Sequence, residues 1–375
     1  VQMINNEPQI DEFKTLIENL YQSGNTENQE KLLEEYGKNP QRFEFLQRIL
    51  DNPELSSNLT HFALVSLRSL FEMIFNQKDE VFFSTFQSWL FRQLYEHGPN
   101  LEKICLDAFC QLYGTFFGCL FRKVDSLVLT TDDINSFFAS ENPIHKVIGF
   151  NLCMNVINSM KKVLKMIPNS NEHTYFVKET TLLTCFTISI NSIISGSYFN
   201  NVDIMISIFD LLLSCLKFDE DITQKATKIY FPETQNWLDA LHLFPTLFNY
   251  IAEFFNNHSI DNIQAQKLAL DALSYLIIVR LDHSIYIDCL NILLPLLINI
   301  LHQNPLETYN EIISNIIDII VQTSKIILVS DIEFIPSYED YVTAVNEFTI
   351  ECTNLNVCIP HFDQFMTLLE FWSNL

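Results

Sequence analysis

Residues Ser56 to Phe75, SSNLTHFALVSLRSLFEMIF, have the pattern of a helix whose apolar side chains are not confined to one face. At about 100° per residue, its apolar side chains spread over more than half of a helical circumference. Only His61, Arg68 and Glu72 form a narrow polar strip. A helix of this kind needs neighbours on both flanks as well as behind it, which a stack of successive helix pairs provides.

The next stretch, DEVFFSTFQSWLFRQLYEHG from Asp79 to Gly98, also has two occupied faces. Its core face holds Phe82, Phe83, Phe86, Trp89, Leu90 and Leu94. On the opposite side, Ser84, Ser88, Phe91 and Tyr95 fall within about 60° of one another at helical spacing. A fully enclosed helix in a globular core would also be apolar all round. Regular pairing of helices along the whole chain favours a stack of helix pairs over a globular core.

Helical patterns of this type recur from end to end, at a pace of two helices per 40 to 50 residues. Capping residues and prolines predict where they begin. The predicted starts are Gln9, Thr26, Pro40, Ser56, Asp79, Asn100, Asn142, Glu172, Asn201, Asn236, Asp261, Ser284, Leu306, Tyr338 and Ile359. The only long interruption is FDEDITQKATKIYFPETQNW, residues Phe218 to Trp237. The sequence therefore predicts an all-α fold built as a solenoid of helix pairs.

Composition supports a large helical core, because 48% of the 375 residues are hydrophobic and only 7 are Gly. The charge is strongly acidic, with 46 Asp and Glu against 22 Lys and Arg and a net charge of -24. No Lys or Arg follows Lys325. Such a field repels nucleic acid and anionic lipid, so neither is an expected partner. The acidity serves either as a solubilising surface or as a surface for a basic partner.

Two uncharged runs, Thr180 to Val202 and Cys289 to Leu306, approach the length of a membrane span. Both contain Asn residues and neither is flanked by a cluster of positive charges, which favours buried helices instead. Nine cysteines occur without CxxC spacing, as expected for small buried side chains in a reducing compartment. The chain opens VQMINNEPQIDEF, which does not have the pattern of a signal peptide.

No motif for chemistry is present in the sequence. GxGxxG, GxxxxGK[ST], HExxH and GxSxG are absent, and the histidines are not spaced as helical metal ligands. Acidic pairs such as Asp132 with Asp133 stand at expected loop ends or helix starts, where carboxylates stabilise exposed backbone amides. We therefore expect a protein that is not an enzyme and that has no cofactor, no metal site and no nucleotide site of its own.

Ordered matches along the chain resemble the importin-beta superfamily of nuclear transport receptors, and within it the exportin-7 group, with exportin-4 a close second. The segments that carry the resemblance are FKTLIENLYQSGNTENQEKLLEEYGKNPQRFEFLQRILD, SSNLTHFALVSLRSLF, NPIHKVIGFNLCMNVINSM, LLLSCLKFDED, PETQNWLDALHLFPTLFNYI and CIPHFDQFMTLLEFWSNL. Their order and spacing over hundreds of residues are more specific than any one of them. The chain is similar to an amino-terminal portion, because members of the family are much longer.

The resemblance implies a right-handed superhelical solenoid of HEAT-like antiparallel helix pairs, with A helices outside and B helices lining a concave surface. Residues 1–375 would form one continuous solenoid fragment, with Ran-binding-like repeats over 1–140 and further HEAT repeats over 141–375. The implied function is a nuclear export receptor that binds GTP-loaded Ran with protein cargo and contacts Phe-Gly nucleoporins. The implied location is the nucleus and the cytoplasm, with shuttling through the nuclear pore. The alternative is a HEAT or armadillo-like scaffold without a GTPase partner.

Position in the family's repeat order gives the expected contact residues. The Ran contact is expected on the inner helices from Pro40 to Asp51 and from Asp79 to His97. Its residues would be Glu44, Gln47, Arg48, Ser84, Ser88, Phe91 and Tyr95. Phe75 and Tyr113, at the ends of two outer helices, are candidates for nucleoporin contact. For Phe91, Tyr95, Phe75 and Tyr113, packing between neighbouring repeats is the alternative role.

Overall fold

The computed structural model of the protein is helical throughout the part of the chain that it describes. That part comprises residues 10–23, 26–52, 55–123, 131–167, 171–223, 229–257, 262–303, 312–353 and 362–374. Within these ranges no β-strand occurs, and a single isolated β-bridge joins Ile229 to Val279. The predicted all-α class is confirmed. Two compact units divide the chain, Val1–Thr174 and Tyr175–Leu375.

The first unit contains eight of the described α-helices, and a ninth begins at its end. They are α1 (Ile10–Ser23), α2 (Thr26–Gly37), α3 (Phe43–Leu50), α4 (Ser57–Ile74), α5 (Glu80–Glu96), α6 (Lys103–Lys123), α7 (Thr131–Ala139), α8 (Pro143–Met166) and α9 (Asn171–Val177). Short 3-10 turns at Pro40–Arg42, Phe75–Gln77 and Gly98–Asn100 precede α3, α5 and α6. Side chains cap the starts as predicted, since Ser56 accepts from the Leu59 amide and Asp79 from the Phe82 amide.

The second unit continues from a π-helical turn, Lys178–Leu182, with ten further described α-helices. They are α10 (Leu183–Ile194), α11 (Val202–Leu216), α12 (Phe218–Thr223), α13 (Gln235–Leu241), α14 (Phe244–Asn257), α15 (Ile263–Leu276), α16 (His283–Leu301), α17 (Ile313–Ile326), α18 (Tyr338–Cys352) and α19 (Phe362–Asn374). A 3-10 turn at Val329–Phe334 precedes α18. The helix predicted from Asn236 is broken into α13 and α14.

Neighbouring helices in the first unit pack in two rows. Helices α2, α4, α6 and α8 form one row, each against the next, while α3, α5 and α7 pack on α4, α6 and α8. Helix α4, the stretch that opens with Ser57, therefore contacts α1, α2, α3 and α6. These contacts cover both flanks of its wide apolar arc, as the sequence requires.

Aromatic rings connect the rows. Phe71 of α4 is fully buried, and its ring stacks on Phe86 of α5 at 4.9 Å and lies 5.7 Å from Phe116 of α6. At the start of the unit, Phe13 of α1 lies within 5.8 Å of Phe62 in α4. Such ring pairs add to the burial of apolar area, which is the main favourable term.

Two glycines on α6 bring it unusually close to α8. A Cβ atom added to Gly114 would lie 2.5 Å from the backbone oxygen of Asn155, and one added to Gly118 would lie 3.1 Å from Ser159 Cβ. The spacing of four residues places both glycines on one face of α6. The helix pair α6 and α8 accordingly makes the most extensive helix contact in the described structure.

The second unit also has two rows. One row consists of α11, α15, α17 and α19, and the other consists of α10, α14, α16 and α18, each helix packing on the next in its row. The predicted interruption from Phe218 to Trp237 contains α12 and the start of α13, and Lys178 ties it to the start of this unit. Its ammonium group donates to Asp219 Oδ2 at 2.7 Å and to the Tyr230 carbonyl at 3.0 Å. Only the part of the interruption outside residues 224–228 belongs to the described structure.

Two helices, Lys103–Lys123 and His283–Leu301, are long and apolar enough to cross a membrane. Of their most apolar windows, 72% and 61% of the residues are buried inside the protein, and core helices pass the same test. The second helix overlaps the predicted uncharged run from Cys289 to Leu306. The run from Thr180 to Val202 is divided between the π-helical turn, α10 and a turn at Gly196, where φ is +64°.

Replacing Phe71 with Ala should lower the free energy of unfolding by about 3–5 kcal/mol, because the ring is fully buried among three helices. Met73 on the same helix is 47% exposed, so Met73→Ala is the matched control and should change it by less than about 0.5 kcal/mol. Urea unfolding followed by circular dichroism measures both. Equal effects of the two changes would contradict the packing described for α4.

Asp318 of α17 lies in a surface depression that also contains Asp271 and Lys325. Desolvation raises the pKa of Asp318, and the Asp271 carboxylate raises it further, while Lys325 opposes the shift. A raised carboxyl pKa means that the charged form is disfavoured in the folded state. The resulting loss of stability is absent below the ordinary pKa and appears as the pH rises through the raised value.

Asp318→Asn should therefore stabilise the protein at pH 7, by no more than about 1 kcal/mol because the side chain is exposed. The gain should shrink as the pH is lowered toward the raised pKa, since the wild-type carboxyl then becomes partly protonated. Thermal unfolding of both proteins across this pH range measures the difference. A variant that is less stable at pH 7, or a gain that grows on acidification, would contradict the sign.

Candidate binding surface on helices α3 and α5

The surface predicted to bind a GTPase lies on two short elements whose ends are fixed locally. Asn39 accepts a hydrogen bond from the Gln41 amide at 3.1 Å, and Pro40 begins the 3-10 turn that leads into α3. Asp79 caps α5 through the Phe82 amide at 2.9 Å. The Phe43 ring of α3 lies 5.5 Å from Phe86 of α5, so aromatic packing joins the two helices beneath the surface.

A depression opens between α3 and α5. Three of the predicted contact residues, Glu44, Gln47 and Arg48, line it together with Asp51 and Trp89. Glu44 and Arg48 are exposed and Gln47 is half-buried. The sequence thus predicted correctly that these three side chains share one polar face, and the structure adds a carboxylate and an indole to it.

Asp51 connects the end of α3 to the middle of α5. Its Oδ1 atom accepts hydrogen bonds from Trp89 Nε1 at 2.8 Å and from Gln93 Nε2 at 2.8 Å, and Arg92 Nη2 lies 3.5 Å away. The carboxylate stands at the C-terminal end of α3, where the helix dipole disfavours negative charge. Donors from α5 offset that repulsion and hold the two helices together.

Trp89 and Asp51 were not among the predicted site residues. Trp89 was assigned to the core, and its side chain is indeed only 8% exposed, yet one part of it reaches the depression. An acidic residue directly after a helix is disfavoured by the helix dipole. That placement is the sequence signal that could have identified Asp51.

The predicted row on α5 divides into two parts. Ser84 and Ser88 are exposed, and the Ser88 hydroxyl donates to the Ser84 carbonyl at 2.9 Å. Phe91 and Tyr95 are half-buried and stack on each other at 5.6 Å, and both rings lie 5.4 Å from Phe137 of α7. The four side chains therefore do not form one continuous free strip, because the second half of the row packs on the next helix.

His145 of α8 completes the packing around Tyr95. Its ring stacks on the Tyr95 ring with centroids 4.4 Å apart, and its Nε2 lies 2.9 Å from the Tyr95 carbonyl oxygen. A carbonyl oxygen only accepts, so Nε2 carries the hydrogen. On the other side of the ring, Nδ1 and the Ser140 hydroxyl are 2.7 Å apart. These bonds give Tyr95 the packing role that the sequence left as its alternative.

Phe75 and Tyr113, predicted to contact nucleoporins, are both buried, with 2% and 1% of their surface exposed. The Arg122 guanidinium covers the Phe75 ring at 5.2 Å, and the Tyr113 ring packs on Phe117 at 4.9 Å. Both residues come at or near the ends of apolar faces that neighbouring helices cover. The described structure presents neither ring to an external partner.

The remaining groups with possible chemistry are dispersed or enclosed. Within the described ranges, no group of three or more His, Cys, Asp or Glu is placed to hold a metal ion. The eight cysteines of those ranges are free and buried, while Cys358 lies outside the described residues. Burial raises the pKa of Cys119 to about 12 and that of Cys289 to about 12, which leaves both thiols uncharged at neutral pH.

Comparison with known proteins adds no assignment, since neither the family models nor the curated proteins give a match to this chain.

Replacing Asp51 with Ala should lower the free energy of unfolding by about 1–3 kcal/mol, because the buried Gln93 amide loses its acceptor. Asp51→Asn keeps an acceptor oxygen and should lower the free energy of unfolding by less than Asp51→Ala does. Glu44→Ala, at an exposed position in the same depression, is the control and should have little effect. Urea unfolding and the NMR shift of the Trp89 indole proton report the change. An unmoved indole signal in Asp51→Ala would contradict the hydrogen bond.

Proposed function

We propose that the chain is part of a nuclear export receptor, a HEAT-like right-handed solenoid that binds GTP-loaded Ran through α3 and the first half of α5. Two features support the solenoid. The extensive helix contacts in the described structure all join elements close in sequence, and each unit has two rows of helices. Repeat proteins have both properties, since each repeat contacts only its neighbours.

The observation that carries the Ran proposal is the exposed polar depression of Glu44, Gln47, Arg48, Asp51 and Trp89. Trp and Arg are among the residue types enriched at protein interfaces, and the Glu44 and Asp51 carboxylates suit the polar rim of such an interface. Ser84 and Ser88 are exposed on α5, where small side chains allow close approach of a partner. The position of these helices in the chain is where the family resemblance expects the GTPase.

Charge supports a partner with a basic surface. The chain has a net charge of -24, which would accelerate encounter with a positively charged protein and would favour it over an acidic one. The function proposed is binding, without enzymatic activity or a cofactor. Protein cargo and Phe-Gly nucleoporins are the further proposed partners, and nucleus and cytoplasm the proposed locations. The nucleoporin contact is proposed without Phe75 and Tyr113, because those rings are buried.

A scaffold of the same fold without a GTPase partner is the competing proposal, and the difference lies in nucleotide dependence. Immobilised chain should retain Ran loaded with a non-hydrolysable GTP analogue and should retain little Ran loaded with GDP. The double variant Ser84→Arg with Ser88→Arg should reduce this retention at least about tenfold, since two bulky charges would obstruct the surface. The variant does not change the side chains of Phe82, Phe86 and Trp89.

Thr343→Arg, at an exposed position on α18, is the matched control and should leave retention unchanged. Circular dichroism melting establishes that each variant is folded. Equal retention of Ran in both nucleotide states, or no retention in either, would favour the scaffold. Unchanged retention by the folded Ser84 and Ser88 double variant would place the GTPase elsewhere.

A further inference from the structure

A groove runs between α14 and α16 in the second unit. Its walls are formed by Asn249, Glu253 and Asn256 from α14 and by Asn291, Pro295 and Asn299 from α16, and its floor contains Ala252, Ile292 and Leu296. Ala252 and Leu296 are buried, whereas Asn249, Glu253, Asn256 and Asn299 are exposed. The groove therefore combines an apolar floor with four amide side chains at its edges.

We propose that this groove binds an extended, basic peptide segment of a partner protein, with the asparagine amides hydrogen-bonding the peptide backbone and Glu253 pairing with a Lys or Arg side chain. The inference does not require the GTPase contact on α3 and α5. It also concerns a different unit of the chain, so the two proposals can fail independently.

The amides suit a peptide backbone because each asparagine offers a donor and an acceptor, as every non-proline peptide unit does. Asn249 and Asn256 are about 10 Å apart along α14, and Asn291 and Asn299 are about 12 Å apart along α16. An extended chain advances about 3.3 Å per residue, so the amides span three to four residues of a bound segment. The two pairs of amides thus extend over similar lengths of a bound segment.

Two of these amides are already oriented by neighbours. Asn291 donates its Nδ2 hydrogen to the Phe334 carbonyl at 3.3 Å, which leaves its side-chain oxygen to accept from a ligand N–H. Asn299 accepts at Oδ1 from Gln303 Nε2 at 3.3 Å, which leaves its own N–H groups to donate to a ligand carbonyl. One wall therefore presents an acceptor near one end and a donor near the other.

Pro295 adds a backbone feature to the same wall. It stands inside α16 and has no N–H, so the backbone carbonyl of Asn291 lacks the donor that a helix normally supplies four residues later. A proline at this position costs helix stability and is exposed in the groove. A ligand N–H could bond that carbonyl, which gives the groove another acceptor beside the Asn291 side chain.

Charge selects the kind of peptide. Helices α14, α16 and α18 form one row and contain no Lys or Arg. Of their acidic residues, Glu253 lines the groove, whereas Asp288, Glu339, Asp340, Glu347 and Glu351 lie outside its lining. An acidic peptide would be repelled by this row, whereas a basic one would be attracted without meeting a competing cation on these helices. The apolar floor would accept an aliphatic side chain between two basic ones.

The test uses the full chain and a fluorescein-labelled peptide in which Lys, Leu and Val alternate between flanking Gly and Ser residues. Fluorescence anisotropy at physiological salt should show saturable binding. The same peptide with Glu in place of Lys should not bind. A version with N-methylated backbone amides keeps every side chain but lacks the N–H donors, and it should bind at least about tenfold more weakly.

Variants assign the binding to the groove. Asn249→Ala with Asn256→Ala should weaken binding about tenfold, and Glu253→Gln should weaken it about threefold. Asn346→Ala, at an exposed position on α18 outside the groove lining, is the matched control and should have no effect. All three positions changed in the groove are exposed, so circular dichroism melting should be unaltered.

Several results would overturn the proposal. They are no binding of the Lys peptide to the folded wild-type chain, unchanged affinity in the Asn249 and Asn256 double variant, and equal binding of the N-methylated peptide. Tighter binding of an uncharged Phe-Gly peptide than of the Lys peptide would assign the groove to a different occupant and would also contradict it.

Discussion

Each long helix of this protein has more apolar surface than a single neighbouring helix can cover. Helix α4 shows it most clearly, since its buried side chains include Leu59, Phe62, Leu67, Phe71 and Ile74 on several sides of the helix. Burial of that arc requires α1, α2, α3 and α6 together. The hydrophobic effect therefore specifies a succession of packed helices, and Gly114 and Gly118 set how closely two of them approach.

Local chemistry made the helix starts predictable, because a cap and its helix are a few residues apart. Four predicted helix starts have a side-chain cap that accepts a hydrogen bond from a backbone amide of the following turn. They are Ser56, Asp79, Asn142 and Asn201. Long-range contacts were not predictable in this way. The packing of Tyr95 depends on His145, which lies fifty residues later in the chain. The short helix α7, which supplies Phe137 to the same packing, is not among the predicted helices.

The proposed functions follow from where the packing leaves polar groups exposed between helices. On α3 and α5 the depression is held by the bonds of Asp51, so its shape depends on the same contacts that join the two helices. On α14 and α16 the amides stand above an apolar floor that belongs to the core. In both places a partner would bind to side chains whose neighbours along the helix are buried, which makes the surfaces rigid platforms.

Each helix in this chain is stabilised mainly by the helices packed against it, and hydrogen exchange with mass spectrometry can measure that dependence helix by helix. Exchange would be compared between wild type and Phe71→Ala under native conditions. We predict faster exchange in α4 and in the helices that Phe71 joins, α5 and α6, with no change in α16 and α17. An equal acceleration in all helices would contradict it, because it would show a single cooperative core.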